Sequence, residues 1–448
     1  MAGIPGFKAY DIRGKVPSEL NIDIAYKVGR AVAKYLNTKK VVIGRDVRKS
    51  SPELSEALTK GLNDAGSDVI DLGLCGTEMI YFATPYLNAD AGVMITASHN
   101  PPEYNGLKFV KAGSVPMGYD SGLNDIEQMI LNNDLGEPAA EKGNVQTLDV
   151  MNEFIERLKI FYDAGKIKPL SVVVNSGNGC AGLALDAIEP HLPIKMHKVF
   201  NEPDSNFPNG VPNPLLPENR QPTIDAMKKY NADLGVAWDG DYDRCFFFDE
   251  KGNFIEGYYI VGLLAKSILK KNPGEKIVHD PRLVWNTIDE VKKAGGTVVE
   301  SVSGHAFIKQ KMREVNSIYG GEMSAHHYFR DNYYSDSGMI PFLLILELMS
   351  VENKTLSDLV GEMVKAYPCS GEINTKLENP QAKLEDIKKK YSDGKIDFTD
   401  GVSVEYDNWR FNVRLSNTEP LIRLNVESKQ DEALMKEKTE EILKLIRS

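Results

Sequence analysis

The stretch Ala91-Gly-Val-Met-Ile-Thr-Ala-Ser-His-Asn-Pro-Pro102 decides how the chain is read. Its apolar run, Val93 to Ile95, has the composition of a short buried strand. The run stops at small and polar residues, and Pro101-Pro102 forbids a regular continuation because proline lacks an N–H and fixes its own φ. A strand that ends this way delivers its last side chains to the rim of a sheet, where α/β proteins bind ligands. Ser98 is then an exposed hydroxyl at that rim, with His99 beside it and Lys108 ten residues on. A serine there is a nucleophile or a covalent phosphate carrier, or it is a turn serine capping a helix. The stretch alone leaves both readings open.

Outward from it the pattern alternates. Residues 22–36 carry a helical period, Val41 to Gly44 reads as a strand, Pro52 to Ala65 as a helix, Val69 to Leu72 as a strand and Thr77 to Leu87 as a helix. Such alternation predicts a mostly parallel α/β layer. Residues 134–148 are polar and aperiodic, which predicts a linker. A second unit begins near Val150, with strands at 171–175, 234–238 and 246–249 and a helix near 219–230. Its turn Ser176-Gly-Asn-Gly is a weak candidate for a phosphate cradle. A third unit starts near Gly257 with a helix at 258–271 and strands at 276–280 and 297–300. Each of the three ends a strand in a polar loop, at Thr96 to Asn100, Asp239 to Arg244 and Glu322 to His326. The loops share a plan but little sequence, so the repeat is weak. The last unit reads as strand, helix, strands at 402–406, 409–414 and 421–427, and a helix at 430–446, an α+β domain with an antiparallel sheet. The predicted domains are 1–149, 150–255, 256–367 and 368–448.

Composition narrows the function. A chain of 448 residues is too long for one core. Hydrophobic content of 42% and charged content of 26% describe an ordinary soluble protein. A net charge of −11 argues against nucleic-acid or anionic-membrane partners. The four cysteines, Cys75, Cys180, Cys245 and Cys369, form no CxxC pair and suit free thiols in a reducing cytoplasm. No apolar run reaches the roughly 18 residues of a membrane span, and Met-Ala-Gly-Ile-Pro-Gly is no signal peptide.

Three constellations carry chemistry. Asp239, Asp241 and Asp243 alternate along five residues, too close to share one side of an extended loop without a cation. Their oxygens suit a hard ion such as Mg²⁺, which would need a further oxygen ligand. A calcium EF-hand fails because Arg244 stands where that loop needs glycine. Arg244 is placed to hold a nearby anion. Arg414-Leu-Ser-Asn-Thr-Glu-Pro-Leu-Ile-Arg423 gathers guanidinium, hydroxyl and amide donors that fit a phosphate dianion. Glu322, Ser324 and His326 offer donors and acceptors suited to a polyol, or else start a capped helix. His305, after Ser303-Gly304, is a candidate acid or base, or a structural histidine.

Together these loops resemble the α-D-phosphohexomutase family essentially end to end. Thr96-Ala-Ser-His-Asn-Pro resembles its phosphoserine loop, Asp239-Gly-Asp-Tyr-Asp-Arg its metal loop, Gly321-Glu-Met-Ser its sugar loop and Arg414 to Arg423 its phosphate loop. Many members have glycine where Ala325 stands. Phe7-Lys-Ala-Tyr-Asp-Ile-Arg-Gly, Asp280-Pro-Arg-Leu and Ser-Ala-His-His-Tyr-Phe-Arg-Asp look most like the bacterial branch that converts mannose phosphates for GDP-mannose synthesis. The resemblance implies four domains around a central cleft. It implies a phosphoserine at Ser98, an Mg²⁺ ion on Ser98, Asp239, Asp241 and Asp243, and a hexose 1,6-bisphosphate intermediate. It implies Arg13, His99, Lys108 and Arg244 around the transferred group, with Lys108 or His305 moving the hydroxyl proton. It implies Tyr10, Arg282, Gly304, Glu322, Ser324 and His326 at the sugar, and Arg414, Ser416, Asn417, Thr418 and Arg423 at the distal phosphate. The expected protein is cytoplasmic, a monomer or small homo-oligomer, with a phosphosugar as its only partner. The rivals are a glucose-specific or dual-specificity mutase, a phosphatase or kinase that uses the same phosphoserine, and a phosphosugar-binding protein without catalysis.

Overall fold

The computed structural model describes residues 3–415 and 421–448. The chain divides into two compact units, Met1–Phe254 with His326–Asn353, and Ile255–Ala325 with Lys354–Ser448.

The first unit holds two sheets. In the first, the strands Lys40–Arg45, Asp68–Leu74 and Ala91–Ile95 run parallel, in the spatial order third, first, second. Tyr104–Lys111 pairs antiparallel with Ala91–Ile95, and Ile12–Lys15 pairs antiparallel with it in turn. The layer is therefore mixed, where the sequence predicts a mostly parallel one. The alternating apolar faces of Val41, Ile43, Val69, Val93 and Ile95 bury against the helices Ile22–Leu36 and Ser51–Asp64. Those helices cross at Gly29 and Gly61, where a Cβ on Gly61 would lie 2.1 Å from the Tyr26 carbonyl, so only glycine fits. The predicted linker also differs, since Val145–Thr147 adds a parallel edge strand beside Asp68–Leu74. All three of its residues are exposed, so it has no apolar alternation to detect.

The second sheet repeats the plan. Ser171–Asn175, Lys195–Val199 and Leu234–Trp238 run parallel in the order third, first, second, with Cys245–Phe248 antiparallel to the third. The buried helix Met339–Glu352 belongs to the same unit, although the predicted domain 256–367 contains it.

In the second unit, Lys276–His279, Thr297–Glu300 and Tyr319–Gly321 are parallel, again with the first strand between the other two. The C-terminal sheet is wholly antiparallel, in the order Ile373–Lys376, Leu421–Ser428, Trp409–Leu415, Val402–Glu405, Lys395–Asp397. Its core packs Val404, Phe411, Val413 and Leu424 against Ile442 and Ile446 of the last helix. In every α/β layer the polar loop follows the third strand: Thr96 after Ala91–Ile95, Asp239 after Leu234–Trp238 and Glu322 after Tyr319–Gly321. Among the described residues no helix is long and apolar enough to cross a membrane.

Candidate functional sites

In the first unit the ends of two third strands converge. Ser98 sits at φ +49°, a left-handed conformation that costs a non-glycine residue about 1 kcal/mol or more. Its N–H donates to Thr96 Oγ1 at 2.8 Å. That turn sends Oγ to Asp239, whose Oδ2 accepts from it at 2.8 Å, and leaves it 3.0 Å from His99 Nδ1. Arg244 forks over the pair, donating Nε and Nη2 to Asp239 Oδ2 at 2.9 and 2.6 Å. Its Nη2 also lies 3.4 Å from Ser98 Oγ and 2.5 Å from His99 Nδ1. Lys108 Nζ bridges Asp241 Oδ2 and Asp243 Oδ2 at 2.7 and 2.6 Å. Thr77, first residue of the helix Thr77–Tyr86, donates its hydroxyl to Asp241 Oδ2 at 2.5 Å and its N–H to the Asp241 carbonyl. Arg13 is paired with Asp11 at 2.5 Å and reaches the serine loop through Asn100 Oδ1 at 2.8 Å.

Burial opposes the charge on Lys108, but Asp241 and Asp243 outweigh it and hold the ammonium above its ordinary range. Burial pushes the Asp239 carboxyl upward, its aspartate neighbours add to that, and Arg244 works against them. Burial, then Arg244, keeps His99 neutral, well below the usual imidazole range. The carboxylates of Asp239, Asp241 and Asp243 can each present an oxygen within 4.8 Å of the others. Asp241 Oδ1 is buried and accepts no hydrogen bond. An all-oxygen donor set with three carboxylates, two cationic neighbours and an orphaned oxygen fits a hard divalent cation.

The Ser176 turn is not a phosphate cradle. Every N–H from Ser176 to Cys180 is already bonded, to the Val199 carbonyl, Asn175 Oδ1, and the Phe200, Ser176 and Gly240 carbonyls in turn. The turn instead braces the aspartate loop, since a Cβ on Gly179 would lie 2.7 Å from the Gly240 carbonyl.

The second unit gathers a different cluster. Arg282 lies on Asp280 through Nε at 3.0 Å and reaches Glu322 Oε1, Ser324 Oγ and Glu372 Oε2, each at 3.3 Å. Glu322 Oε1 also accepts from the Gly304 N–H at 2.8 Å. Glu372 takes two more guanidiniums, Arg423 Nη1 at 2.8 Å and Arg414 Nη2 at 3.4 Å. Burial would raise the Glu372 carboxyl, but Arg423, Arg282 and Arg414 together hold it below the usual range.

The structure thus brings Ser98, His99, Lys108, Arg244 and the three aspartates together in one unit, and Arg282, Gly304, Glu322, Ser324, Arg414 and Arg423 together in the other. His326 lies in the first, with Nε2 3.9 Å from Asp243 Oδ1. Tyr10 is half-buried in the loop before Ile12–Lys15, and His305 opens the helix His305–Val315. Ser416, Asn417 and Thr418 lie outside the described residues. Thr77, Arg48 and Glu372 join these clusters without having been singled out from sequence, and Asp280 was quoted only within the motif that carries Arg282. Asp46 and Arg48 follow a strand end directly, which is a usable signal; a lone Glu372 carries none.

Comparison with known proteins identifies the family of the chain. Residues 5–137, 151–252 and 256–367 match alpha/beta/alpha domains I, II and III of phosphoglucomutase/phosphomannomutase, and residues 372–444 match its C-terminal domain. The chain belongs to the phosphoglucomutase/phosphomannomutase family, the α-D-phosphohexomutases, whose chemistry is metal-dependent phosphotransfer within a sugar phosphate. It is 54% identical over 449 residues to a protein of Xanthomonas campestris pv. campestris named for phosphohexose mutases, covering 99% of each chain. It is 53% identical to the phosphomannomutase of Escherichia coli K12, covering 98% of each. A solved structure of a family protein from Burkholderia thailandensis superposes with a TM-score of 0.87 at 31% identity, over all of this chain and 98% of that one.

Proposed function

We propose that this chain is a phosphomannomutase, interconverting mannose 6-phosphate and mannose 1-phosphate to feed GDP-mannose synthesis. The reaction needs a phosphoryl carrier and a separate grip on the phosphate that is not transferred. The observation that carries the reading is Ser98 Oγ on Asp239, at 2.8 Å, with Arg244 and Lys108 supplying positive charge around it. In the proposed cycle the free hydroxyl of the sugar phosphate attacks the phosphorus of phosphoserine 98. The Ser98 Oγ–P bond breaks, the hydroxyl proton ends on Ser98 Oγ, and a 1,6-bisphosphate forms. After the bisphosphate turns over, Ser98 Oγ attacks its other phosphorus, that sugar O–P bond breaks, and the Ser98 proton passes to the freed sugar oxygen. Asp239, Asp241, Asp243 and a phosphoserine oxygen would hold Mg²⁺, which when bound supplies charge neutralisation for phosphoryl transfer. Arg414 and Arg423 would grip the distal phosphate, and Glu322 and Ser324 the sugar hydroxyls. The four domains would run 1–149, 150–255, 256–367 and 368–448, in a cytoplasmic monomer or small homo-oligomer.

The 54% relative named for phosphohexose mutases favours a second reading, one site that serves glucose as well as mannose phosphates. Assays of both 1-phosphates with Mg²⁺ and a trace of hexose 1,6-bisphosphate separate the two. A kcat/KM preference for mannose supports the first reading, and equal values support dual specificity. No transfer on either sugar overturns both.

A further inference from the structure

Arg48 has no place in the scheme above, yet it donates four hydrogen bonds to carbonyls of the serine loop. It is 1% exposed. Nη1 donates to the carbonyls of Pro101 and Tyr104 at 2.8 and 3.0 Å, and Nη2 to those of Ser98 and Asn100 at 2.9 and 2.6 Å. Nε lies 3.2 Å from Asp46 Oδ2. Asp46 is itself fixed: its N–H donates to the Ile95 carbonyl, and Oδ1 accepts from the Arg48 N–H and from Ser51 Oγ. The anchor is therefore tied to the strand that delivers Ser98.

The loop needs outside donors. Pro101 and Pro102 have no N–H, and the N–H groups of Ser98, Asn100 and Tyr104 are already spent on Thr96 Oγ1 and the Ala97 and Pro101 carbonyls. Four carbonyls in seven residues, 98 to 104, are met by one planar fork, which lysine with three donors on a point charge cannot reproduce. The Ser98 carbonyl is caught from the other side as well, since a Cβ on Gly240 would lie 2.6 Å from it. Turning that carbonyl toward Arg48 is what the positive φ of Ser98 accomplishes, and the same turn aims Oγ at Asp239.

We infer that Arg48 is a positioning residue for phosphoryl transfer: by gathering the Ser98, Asn100, Pro101 and Tyr104 carbonyls it imposes the left-handed turn that presents Ser98 Oγ to the reaction. The inference rests on the reading of Ser98 as the phosphoryl carrier. A misaimed oxygen slows the chemical step, whereas the grip on the sugar phosphate by Arg414, Arg423 and Glu322 is untouched.

The test uses the full chain, labelled hexose 1,6-bisphosphate, and peptide mass spectrometry to locate the label. In Arg48→Lys the rate of labelling at Ser98 and kcat should both fall about 10- to 100-fold, with KM for the sugar phosphate within about threefold and a cooperative thermal transition retained. Asp46→Asn keeps a polar partner for Ser51, Thr96 and the Arg48 N–H and weakens the charged contact with Nε. It should show a smaller loss of the same kind, and it carries the test if Arg48→Lys does not fold. Labelling rate and kcat within twofold of the parent in a folded variant, or a loss confined to KM, overturns the role of Arg48. Absence of label at Ser98 in the parent overturns the carrier reading instead.

Discussion

The cluster around Ser98 carries more carboxylates than cations, whereas the cluster around Glu372 matches them in number but converges three cations on a single anion. The first sets three carboxylates, Asp239, Asp241 and Asp243, against two cations, Lys108 and Arg244. The second sets three guanidiniums, Arg282, Arg414 and Arg423, on one shared carboxylate, Glu372, with Asp280 and Glu322 on Arg282 alone. A surplus of buried negative charge calls for a metal ion. Guanidiniums convergent on one carboxylate are an arrangement that would also suit another anion, with Glu372 as its stand-in. On the proposed function, the comparison teaches that transfer and phosphate recognition would be separated by how charge is grouped, anions together in one cluster and cations together in the other.

The largest effect that could break this division is at Ser98. Ser98→Ala should lower mutase activity by at least about four orders of magnitude, as loss of a covalent nucleophile does. Phosphosugar binding measured by calorimetry should persist. Residual activity near the parent level would remove the carrier from the first cluster.

Next in size is Arg414→Ala. Charge-assisted hydrogen bonds contribute about 1.5–3 kcal/mol each, so losing one or two costs roughly one to four orders of magnitude in kcat/KM. Ser98 should still be labelled by bisphosphate, and labelled bisphosphate should escape more often per turnover. Equal release and equal kcat/KM in the two proteins would detach phosphate recognition from the second cluster.

Glu372→Gln sharpens the comparison with a smaller change. Removing the internal anion should tighten inhibition by inorganic phosphate several-fold while kcat falls modestly, because the three guanidiniums lose their common anchor. An unchanged inhibition constant would mean that Glu372 does not stand in for the ligand.

The smallest effect is on acid stability. Burial is outweighed at Glu372 by Arg423, Arg282 and Arg414, so its folded pKa lies below its ordinary 4.5. A depressed carboxyl contributes stability that is fully present above that ordinary value and is lost as pH falls through the folded one. Tm should therefore drop less steeply below about pH 4.5 in Glu372→Gln than in the parent. Parallel acid limbs would show that the pairing adds nothing to the fold.

The two clusters were also unequally legible. Asp239-Gly-Asp-Tyr-Asp-Arg lies on one loop, so spacing alone exposed most of the first cluster. The second draws on 280–282, 322–324, 372, 414 and 423, and nothing local marks Glu372. Thr77 and Arg48 were hidden because their importance depends on which strand ends the sheet order brings side by side. The antiparallel strand Tyr104–Lys111 escaped for a sharper reason. Gly106 interrupts its apolar pattern, and the reason is a close approach, since a Cβ there would lie 2.4 Å from the Ile12 carbonyl and 2.7 Å from that of Thr96. Helices such as Ile22–Leu36 were readable because amphipathic period and the Asn21 cap agree.

The strand order third, first, second recurs in each of the three α/β layers, and in each the polar loop follows the third strand. The order fixes where a loop emerges but not what it carries. At that place one layer bears the Ser98 hydroxyl, the next the acid triplet Asp239, Asp241 and Asp243, and the third the Glu322 carboxylate and the Ser324 hydroxyl. Backbone pairing and apolar packing hold the frame, so a loop can exchange its side chains without reordering the sheet beneath it.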